Sequence, residues 1–145
     1  MLSKSCEYAL KSLLYITKNS MNEERVGVRE IADNLGIPYH FAAKLLQQLA
    51  KTDIVSSQKG PKGGFYMTKK NLTHSLADVI RAIDGNGLFI NCVLGLKVCS
   101  ESRPCPLHNE FHDIKWKLTQ GFERTKLDEF QEKLLSGEFY LNNLK

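Results

Sequence analysis

The chain has 145 residues, of which 42% are hydrophobic and 25% are charged, and its formal net charge at pH 7 is +4. These values are typical of a soluble globular protein that can bury a core in one domain or in a small domain with an appendage. No apolar run approaches the roughly 20 residues that cross a bilayer, and the N-terminus lacks the apolar segment of a signal peptide, so we expect a cytoplasmic protein with no membrane contact.

The first predicted elements are three helices. Apolar residues recur at helical spacing from about residue 3 to 18, and a second, shorter helix covers 28–34. Gly36 stands where a left-handed residue commonly ends a helix, and Pro38 stands at the first-turn position that proline favours in the next helix. A helix, a short glycine–proline turn and another helix form a helix-turn-helix signature.

Two short β-prone segments follow the third helix, at 53–58 and 65–68, and a basic glycine- and proline-rich turn at 59–64 separates them. Such a pair predicts a β-hairpin. After a helix-turn-helix, a hairpin is a wing. The fold class is therefore predicted to be mainly α, with a winged helix-turn-helix DNA-binding domain of three helices and a two-stranded β wing.

The remainder of the chain is predicted to be helical on either side of a cysteine-bearing loop. An amphipathic helix follows Ser75 and stops at turn residues 84–87, and the loop occupies about 88–105. A long helix then covers about 106–125, and a short helix and a tail end the chain. The long helix carries an apolar seam close to a heptad repeat, formed by Leu107, Phe111, Ile114, Leu118, Phe122 and Thr125.

Basic residues point to DNA as the partner of the N-terminal half. Residues 1–70 hold 11 Lys or Arg against 6 Asp or Glu, whereas residues 71–145 hold 9 against 10. Helix-turn-helix proteins place the start of the second helix of the motif in the major groove, and a basic face binds phosphate. The candidate contacts on this helix are Pro38, Tyr39, His40 and Lys44. The alternative is that Tyr39 and His40 are ordinary surface residues.

The wing offers a second set of candidate DNA contacts. Lys59 and Lys62 lie beside three glycines, which allow a backbone to approach phosphate closely. Ser56 and Ser57 can donate further hydrogen bonds to phosphate. A nucleotide-binding phosphate loop is the rival interpretation of a glycine-rich turn with lysine, but its motif is absent and the turn joins two strands.

Three cysteines and a histidine lie within seventeen residues: Cys92, Cys99, Cys105 and His108. Thiolate and imidazole are soft ligands, and a disulfide framework is not expected in a cytoplasmic chain. The sequence gaps between successive cysteines are longer than the short gaps that occur in pairs in structural zinc sites. The spacing leaves four interpretations open: an iron–sulfur cluster, a zinc ion, redox-active thiols, or no site. Cys6 is distant and is predicted to be a buried small apolar residue.

Five segments together resemble the Rrf2 family of bacterial winged-helix regulators, with its IscR and NsrR types. They are LGIP (35–38), KLLQQL (44–49), GPKGGF (60–65), ADVIRAIDG (77–85) and CPLH (105–108). The resemblance covers nearly the whole chain. It implies a homodimer that binds double-stranded DNA, takes no small-molecule substrate and is not an enzyme. It also implies that residues 1–85 form the DNA-binding domain, 86–106 the sensor loop, and 107–145 the dimerisation helix and tail.

The same resemblance implies an iron–sulfur cluster held by the three loop cysteines, with a 2Fe–2S cluster favoured over 4Fe–4S, and one that purified protein can lack. In IscR-type members the fourth ligand is a histidine, which His108 matches; in NsrR-type members it is an acid on the partner's first helix, for which Glu7 is nearest. The first cysteine gap is one residue longer than in IscR-type members. The expected function is a regulator that senses redox state, nitric oxide or cluster status. The alternatives are a cluster-free regulator with an empty or zinc-bound loop, and a Cys/His enzyme.

Overall fold

The computed structural model describes residues 1–20 and 24–138, and this part of the chain folds into eight helices and one two-stranded sheet. The predicted C-terminal tail lies mostly outside the described residues. In chain order, the elements are α1 (Lys4–Asn19), α2 (Val28–Leu35), α3 (Tyr39–Lys51), β1 (Ser56–Gln58), β2 (Gly64–Tyr66), α4 (Lys69–Leu72), α5 (Leu76–Asp84), α6 (Gly87–Ile90), α7 (His108–Arg124) and α8 (Leu127–Ser136).

The helix-turn-helix is formed by α2 and α3, as the sequence predicts. Gly36 has the left-handed backbone conformation, with φ of 64°, and its N–H donates to the Ala32 carbonyl near the end of α2. Ile37 is 4% exposed and its N–H donates to the same carbonyl at 2.9 Å. Pro38 directly precedes α3. The turn is therefore fixed both by the glycine and by the buried isoleucine that follows it.

The predicted wing is present, although its strands are shorter than expected. β1 and β2 pair antiparallel with Ser57 opposite Phe65. β2 also pairs with Val26, whose N–H and carbonyl bond to the Phe65 backbone at 2.9 and 2.8 Å. Ile54 and Val55, which were predicted to begin the first strand, are each 2% exposed in the core. Burial of these two side chains takes precedence over strand pairing, so β1 begins at Ser56.

The hydrophobic core lies where α1, α2, α3, α5 and the start of α8 meet. Ser3 caps α1 by accepting a hydrogen bond from the Cys6 N–H at 3.0 Å, and the buried face of α1 includes Cys6, which is fully buried as predicted. The principal core cluster comprises Ala9, Leu13, Ile16, Val26, Ile31, Leu46, Leu49, Ile54, Val55, Phe65, Val79 and Leu127.

Two short helices were not predicted. α4 is defined by a capping box between Thr68 and Asn71, and Asn71 is buried because its side chain also donates to the Asp53 carbonyl at 2.7 Å. α6 occupies the first part of the expected cysteine loop, so the irregular segment between helices is 91–107 rather than 88–105. Helices of one turn have too few residues to show an amphipathic period, which is why the pattern missed them.

The C-terminal helices differ from each other in how they pack. α7 has no buried residue, whereas Leu127 at the start of α8 is fully buried in the core. Backbone hydrogen bonds from Leu76 to Thr125 and from Leu127 to His74, at 2.9 and 3.0 Å, fix the α7–α8 junction to the start of α5. Of the helices in the described residues, none is both long and apolar enough to span a membrane.

Candidate metal centre and nucleic-acid interface

The loop between α6 and α7 brings the three cysteines together. Cys92 follows α6, and a turn closed by the Gly95 N–H and the Cys92 carbonyl at 2.9 Å reverses the chain after it. A second turn, in which Ser100 and Arg103 exchange backbone hydrogen bonds, stands between Cys99 and Cys105. The sulfur atoms of the three cysteines lie within 4.8 Å of one another. The Sγ atoms of Cys92 and Cys105 are 3.6 Å apart.

The fourth predicted ligand is in the same place. His108 is the first residue of α7, and its Nδ1 atom lies 3.2 Å from the Sγ of Cys99. His112, one turn further along α7, also borders the cavity of about 60 Å³ that the cysteines line, and the centres of the two imidazole rings are 5.7 Å apart. Three thiols and an imidazole are a donor set that fits an iron–sulfur cluster or a zinc ion.

The surroundings of the thiols favour ionisation at one of them. Burial raises the pKa of Cys92, but hydrogen bonds from the Leu94 and Leu96 backbone and from the thiols of Cys105 and Cys99 outweigh burial and lower this pKa to about 7. Burial and the neighbouring sulfurs of Cys92 and Cys99 raise the pKa of Cys105. A metal ligand must be a thiolate rather than a thiol, so the lowered pKa favours the ligating form of Cys92.

Glu7, the alternative fourth ligand, does not line this cavity in its own chain. Its carboxylate lies 3.2 Å from the Lys4 ammonium on the same face of α1. Because the proposed role places Glu7 in a partner subunit, this single chain leaves the alternative as a prediction.

The predicted groove-facing residues lie at the exposed start of α3. Pro38, Tyr39, His40 and Lys44 are all exposed. The Tyr39 and His40 rings meet edge to face with centres 5.5 Å apart, which holds both side chains at one end of the helix. Leu45 and Leu46, on the opposite face, are buried. The orientation of α3 therefore leaves its predicted DNA-reading face open to solvent.

The wing places its two lysines at an exposed tip. Lys59 and Lys62 are exposed, as is Ser57. Ser56 is half-buried, and its hydroxyl lies 2.8 Å from the Asn71 side-chain oxygen, to which it donates. Ser56 thus has a partner within the protein, whereas Ser57 and the lysines can face an external partner.

Sequence reasoning missed two exposed arginines, one against α3 and one against the wing. Arg29 of α2 lies over the Tyr39 ring, with 5.2 Å between its guanidinium carbon and the ring centre. Arg25 lies over the Tyr66 ring of the wing at 4.8 Å. Both arginines are exposed. The sequence signal that could have found them is their place in the basic segment 1–70, one shortly before the helix-turn-helix and one within it.

One face of α7 and the loop before it expose large apolar side chains. Phe111 is 37% exposed and Ile114 58% on this face, and Trp116 is 60% exposed on another side of the helix. In the loop, Val93 and Val98 are 51% and 69% exposed. Contiguous apolar surface of this kind marks an interaction site. Of the predicted seam, Phe111 and Ile114 are therefore open to solvent in their own chain, whereas Phe122 packs against Phe89.

The sequence comparisons agree on one family. A family model described as Rrf2, iron-dependent transcriptional regulator, matches residues 2–133. An HTH-type transcriptional regulator of Aquifex aeolicus is 32% identical over 127 residues, which are 86% of this chain and 87% of that protein. The repressor NsrR of Streptomyces coelicolor is 28% identical over 106 residues, covering 73% of this chain and 67% of NsrR. IscR of Escherichia coli is 29% identical over 121 residues, covering 83% of this chain and 73% of IscR.

Solved structures share the fold. CymR, the global cysteine regulator of B. subtilis, superposes with a TM-score of 0.72 at 18% identity, over 92% of this chain and 97% of CymR. IscR of T. potens superposes with a TM-score of 0.73 at 16% identity, over 98% of this chain and 93% of that chain. At these identities the likeness concerns the architecture, which is that of the winged-helix regulators.

Proposed function

The chain belongs to the Rrf2 family of transcriptional regulators, and from this premise we propose that it is an iron–sulfur-dependent regulator that binds duplex DNA as a homodimer. The family regulates transcription and is not a family of enzymes, so the Cys/His enzyme is set aside. Because the proposed partner is chromosomal DNA, we expect the protein to act in the cytoplasm.

The observation that carries the proposal is the gathering of Cys92, Cys99 and Cys105, with His108 beside them. Sulfurs within 4.8 Å of one another can share one metal group, and the imidazole nitrogen 3.2 Å from one of these sulfurs can complete the set. We assign His108 as the fourth ligand and keep the partner's Glu7 as the alternative. A 2Fe–2S cluster is favoured over 4Fe–4S because mixed cysteine and histidine ligation is known for 2Fe–2S centres.

An iron–sulfur cluster would supply a centre that changes oxidation state, reacts with nitric oxide and can be lost. The chain's own residues connect that centre to the fold. Cys92 stands two residues after the end of α6 and His108 begins α7, so a rearrangement of the ligands bears on the ends of both helices. We therefore propose that 86–106 is the sensor loop, that 1–85 reads DNA, and that 107–145 carries the dimer contact.

The proposed DNA contacts lie on α3, on the wing and beside them. Tyr39 and His40, with Pro38 before them, would enter the major groove, and Lys44 would bind phosphate. In the wing, Lys59, Lys62 and Ser57 would contact backbone phosphates, with Ser56 supporting the strand. To these we add Arg25 and Arg29, because each guanidinium is held over an aromatic ring of the wing or of α3.

The proposed dimer contact is the exposed apolar face of α7. Phe111, Ile114 and Leu118 follow helical spacing on the predicted seam, and the same three side chains border an open apolar cavity of about 360 Å³ at the sensor loop. A second copy of α7 would cover this face. Two heads held by one helix pair can contact two half-sites of DNA.

The test is anaerobic purification followed by iron and sulfide analysis, with visible absorption spectra. We expect a coloured protein whose iron, sulfide and absorption are lost when Cys92, Cys99 or Cys105 is changed to alanine. Cys6→Ala is the matched control, because Cys6 is buried in α1 and does not line the cavity; it should keep the colour. A colourless protein with stoichiometric zinc, or one with no metal, would instead support the cluster-free regulator.

A further inference from the structure

Helix α5 contacts both the DNA-reading helix and the helix that leaves the cysteine loop. Two adjacent residues of α5, Arg81 and Ala82, each make one of these contacts. The Arg81 side chain donates hydrogen bonds to residues at α6 and α7. The Ala82 carbonyl accepts a hydrogen bond from α3. The two contacts are therefore one residue apart on a single turn of α5.

On the sensor side, Arg81 has three partners. Its Nε–H donates to the Asn86 side-chain oxygen at 3.0 Å, and its terminal nitrogen pairs with the carboxylate of Glu123 on α7. Its guanidinium carbon lies 4.7 Å from the centre of the Phe89 ring on α6. A planar guanidinium that is bonded at its edge and stacked on its face has its orientation fixed. Arg81 thereby holds α5, α6 and α7 in one arrangement.

The same helices lead directly to the ligands. The Phe89 ring meets the Phe122 ring of α7 edge to face, with centres 6.4 Å apart. Lys115 of α7 donates to the carbonyl of Asn91, which is the residue before Cys92. A displacement of Cys92 or of α7 therefore acts on the groups that surround Arg81.

On the DNA side, the contact is a single hydrogen bond. The side-chain N–H of Gln48 donates to the Ala82 carbonyl at 2.7 Å, and this bond is partly buried. Gln48 lies on α3 one turn after Lys44. It joins the helix proposed to read DNA to the turn of α5 that carries Arg81.

We propose that Arg81 and Gln48 are the positioning residues through which the state of the cysteine loop reaches the DNA-reading helix. Neither residue touches the metal site. Arg81 couples α6 and α7 to α5, and Gln48 couples α5 to α3. The inference rests on the proposed function, since it requires that the metal site and the DNA interface influence each other.

The experiment measures the ratio of DNA dissociation constants between cluster-loaded and cluster-free protein. The probe is one duplex selected from a random-sequence pool by affinity for the wild-type protein. The variants are Arg81→Gln, Gln48→Ala and the double variant. The control is Arg124→Gln, which also removes a guanidinium near the end of α7, but one that donates to the Gln120 carbonyl of its own helix. Arg81→Lys is a second variant in case the glutamine variant does not fold.

We expect each single variant to bring the ratio closer to 1 by about fivefold or more, which is the lower end of typical coupling between sites. Iron content and absorption spectra should stay at wild-type values, and Arg124→Gln should keep the wild-type ratio. Because the two residues act in series, the double variant should lose no more coupling than the more affected single variant.

The possible failures are distinguishable. If iron analysis shows that the wild-type protein was loaded and its loaded and cluster-free forms still bind DNA equally well, the proposed function is overturned, and this inference with it. A wild-type ratio far from 1 that Arg81→Gln, Arg81→Lys and Gln48→Ala all preserve would overturn this inference alone. The inference would also be overturned if the two single variants reduce the coupling independently and their effects multiply in the double variant. That result would show two separate routes between the cysteine loop and α3.

Discussion

The wing turn has no room for a side chain at Gly63, which makes Gly63→Ala a sharp test of the wing. A Cβ added at this position would lie 2.1 Å from the Gln58 carbonyl oxygen, so the backbone must move. The change should break the hydrogen bond from the Gly63 N–H to the Gly60 carbonyl, now 2.9 Å long, and the adjacent pairing of Gln58 with Gly64. Two or three hydrogen bonds at about 1 kcal/mol each give a loss of about 2–3 kcal/mol in unfolding free energy.

Two measurements check this prediction. Urea unfolding should show the loss of stability, and DNA titrations at several salt concentrations should show weaker binding with a slope smaller by about 2, because two lysines at the turn leave the phosphates. Gly27→Ala is the control. A Cβ at Gly27 meets no atom within 4 Å, so its unfolding free energy should change by no more than about 0.5 kcal/mol. If Gly63→Ala keeps the wild-type unfolding free energy and the wild-type salt slope, the described turn geometry and the role of the turn in DNA binding are refuted.

Three further predictions concern charge, acid stability and assembly. Lys59→Gln and Lys62→Gln should each weaken binding to all duplex sequences alike and lower the salt slope by about 0.9; an altered sequence preference in titrations against several duplexes would contradict the phosphate assignment. The pKa of Asp78 is lowered because, although burial raises it, hydrogen bonds from the Ser75 backbone and nearby groups outweigh burial. The contribution of this carboxylate to folding stability is therefore complete at pH values above its ordinary pKa of about 4. It is lost as the pH falls through the lower pKa that Asp78 has in the folded protein. Asp78→Asn should lose less stability than the wild type on acidification below about pH 4, and an equal loss in pH-dependent urea unfolding would argue against this. Ile114→Asp should convert a dimer into monomers in sedimentation experiments, and an unchanged dimer would move the interface away from α7.

Local signals made the head predictable. Gly36 and Pro38 mark a turn that only certain residues adopt, and the glycines and proline at 60–64 mark the wing turn. Each signal acts within a few residues, so the sequence alone contains it. The strand bounds were less accurate because Ile54 and Val55 are placed by the core, and packing against distant helices is not visible in a short window of sequence.

The gathering of the three loop cysteines was predictable for a different reason. Cys92, Cys99 and Cys105 are close in sequence, and one loop can bring them together without help from the rest of the fold. The position of His108 at the start of α7 placed it beside them. The alternative ligand Glu7 stays a prediction, because a ligand from a partner subunit depends on how two chains pack.

The contacts that join the two halves of the molecule escaped sequence reasoning. Arg81 looks like an ordinary charged position on an amphipathic helix, and Gln48 looks like a polar surface position on α3. Their partners lie 42 and 34 residues away along the chain. Arg25 and Arg29 were missed in the same way, since their alignment over Tyr66 and Tyr39 exists only in the folded head.

We propose that an iron–sulfur group at the cysteine site controls DNA binding. The most direct measurement is the affinity of one anaerobic preparation for a selected duplex, before and after chelation removes its iron, with iron and sulfide determined on both samples. We expect bound iron and sulfide, an affinity that changes at least severalfold on their removal, and no such change in Cys99→Ala. Iron-free anaerobic protein, or an affinity indifferent to bound iron, would contradict it.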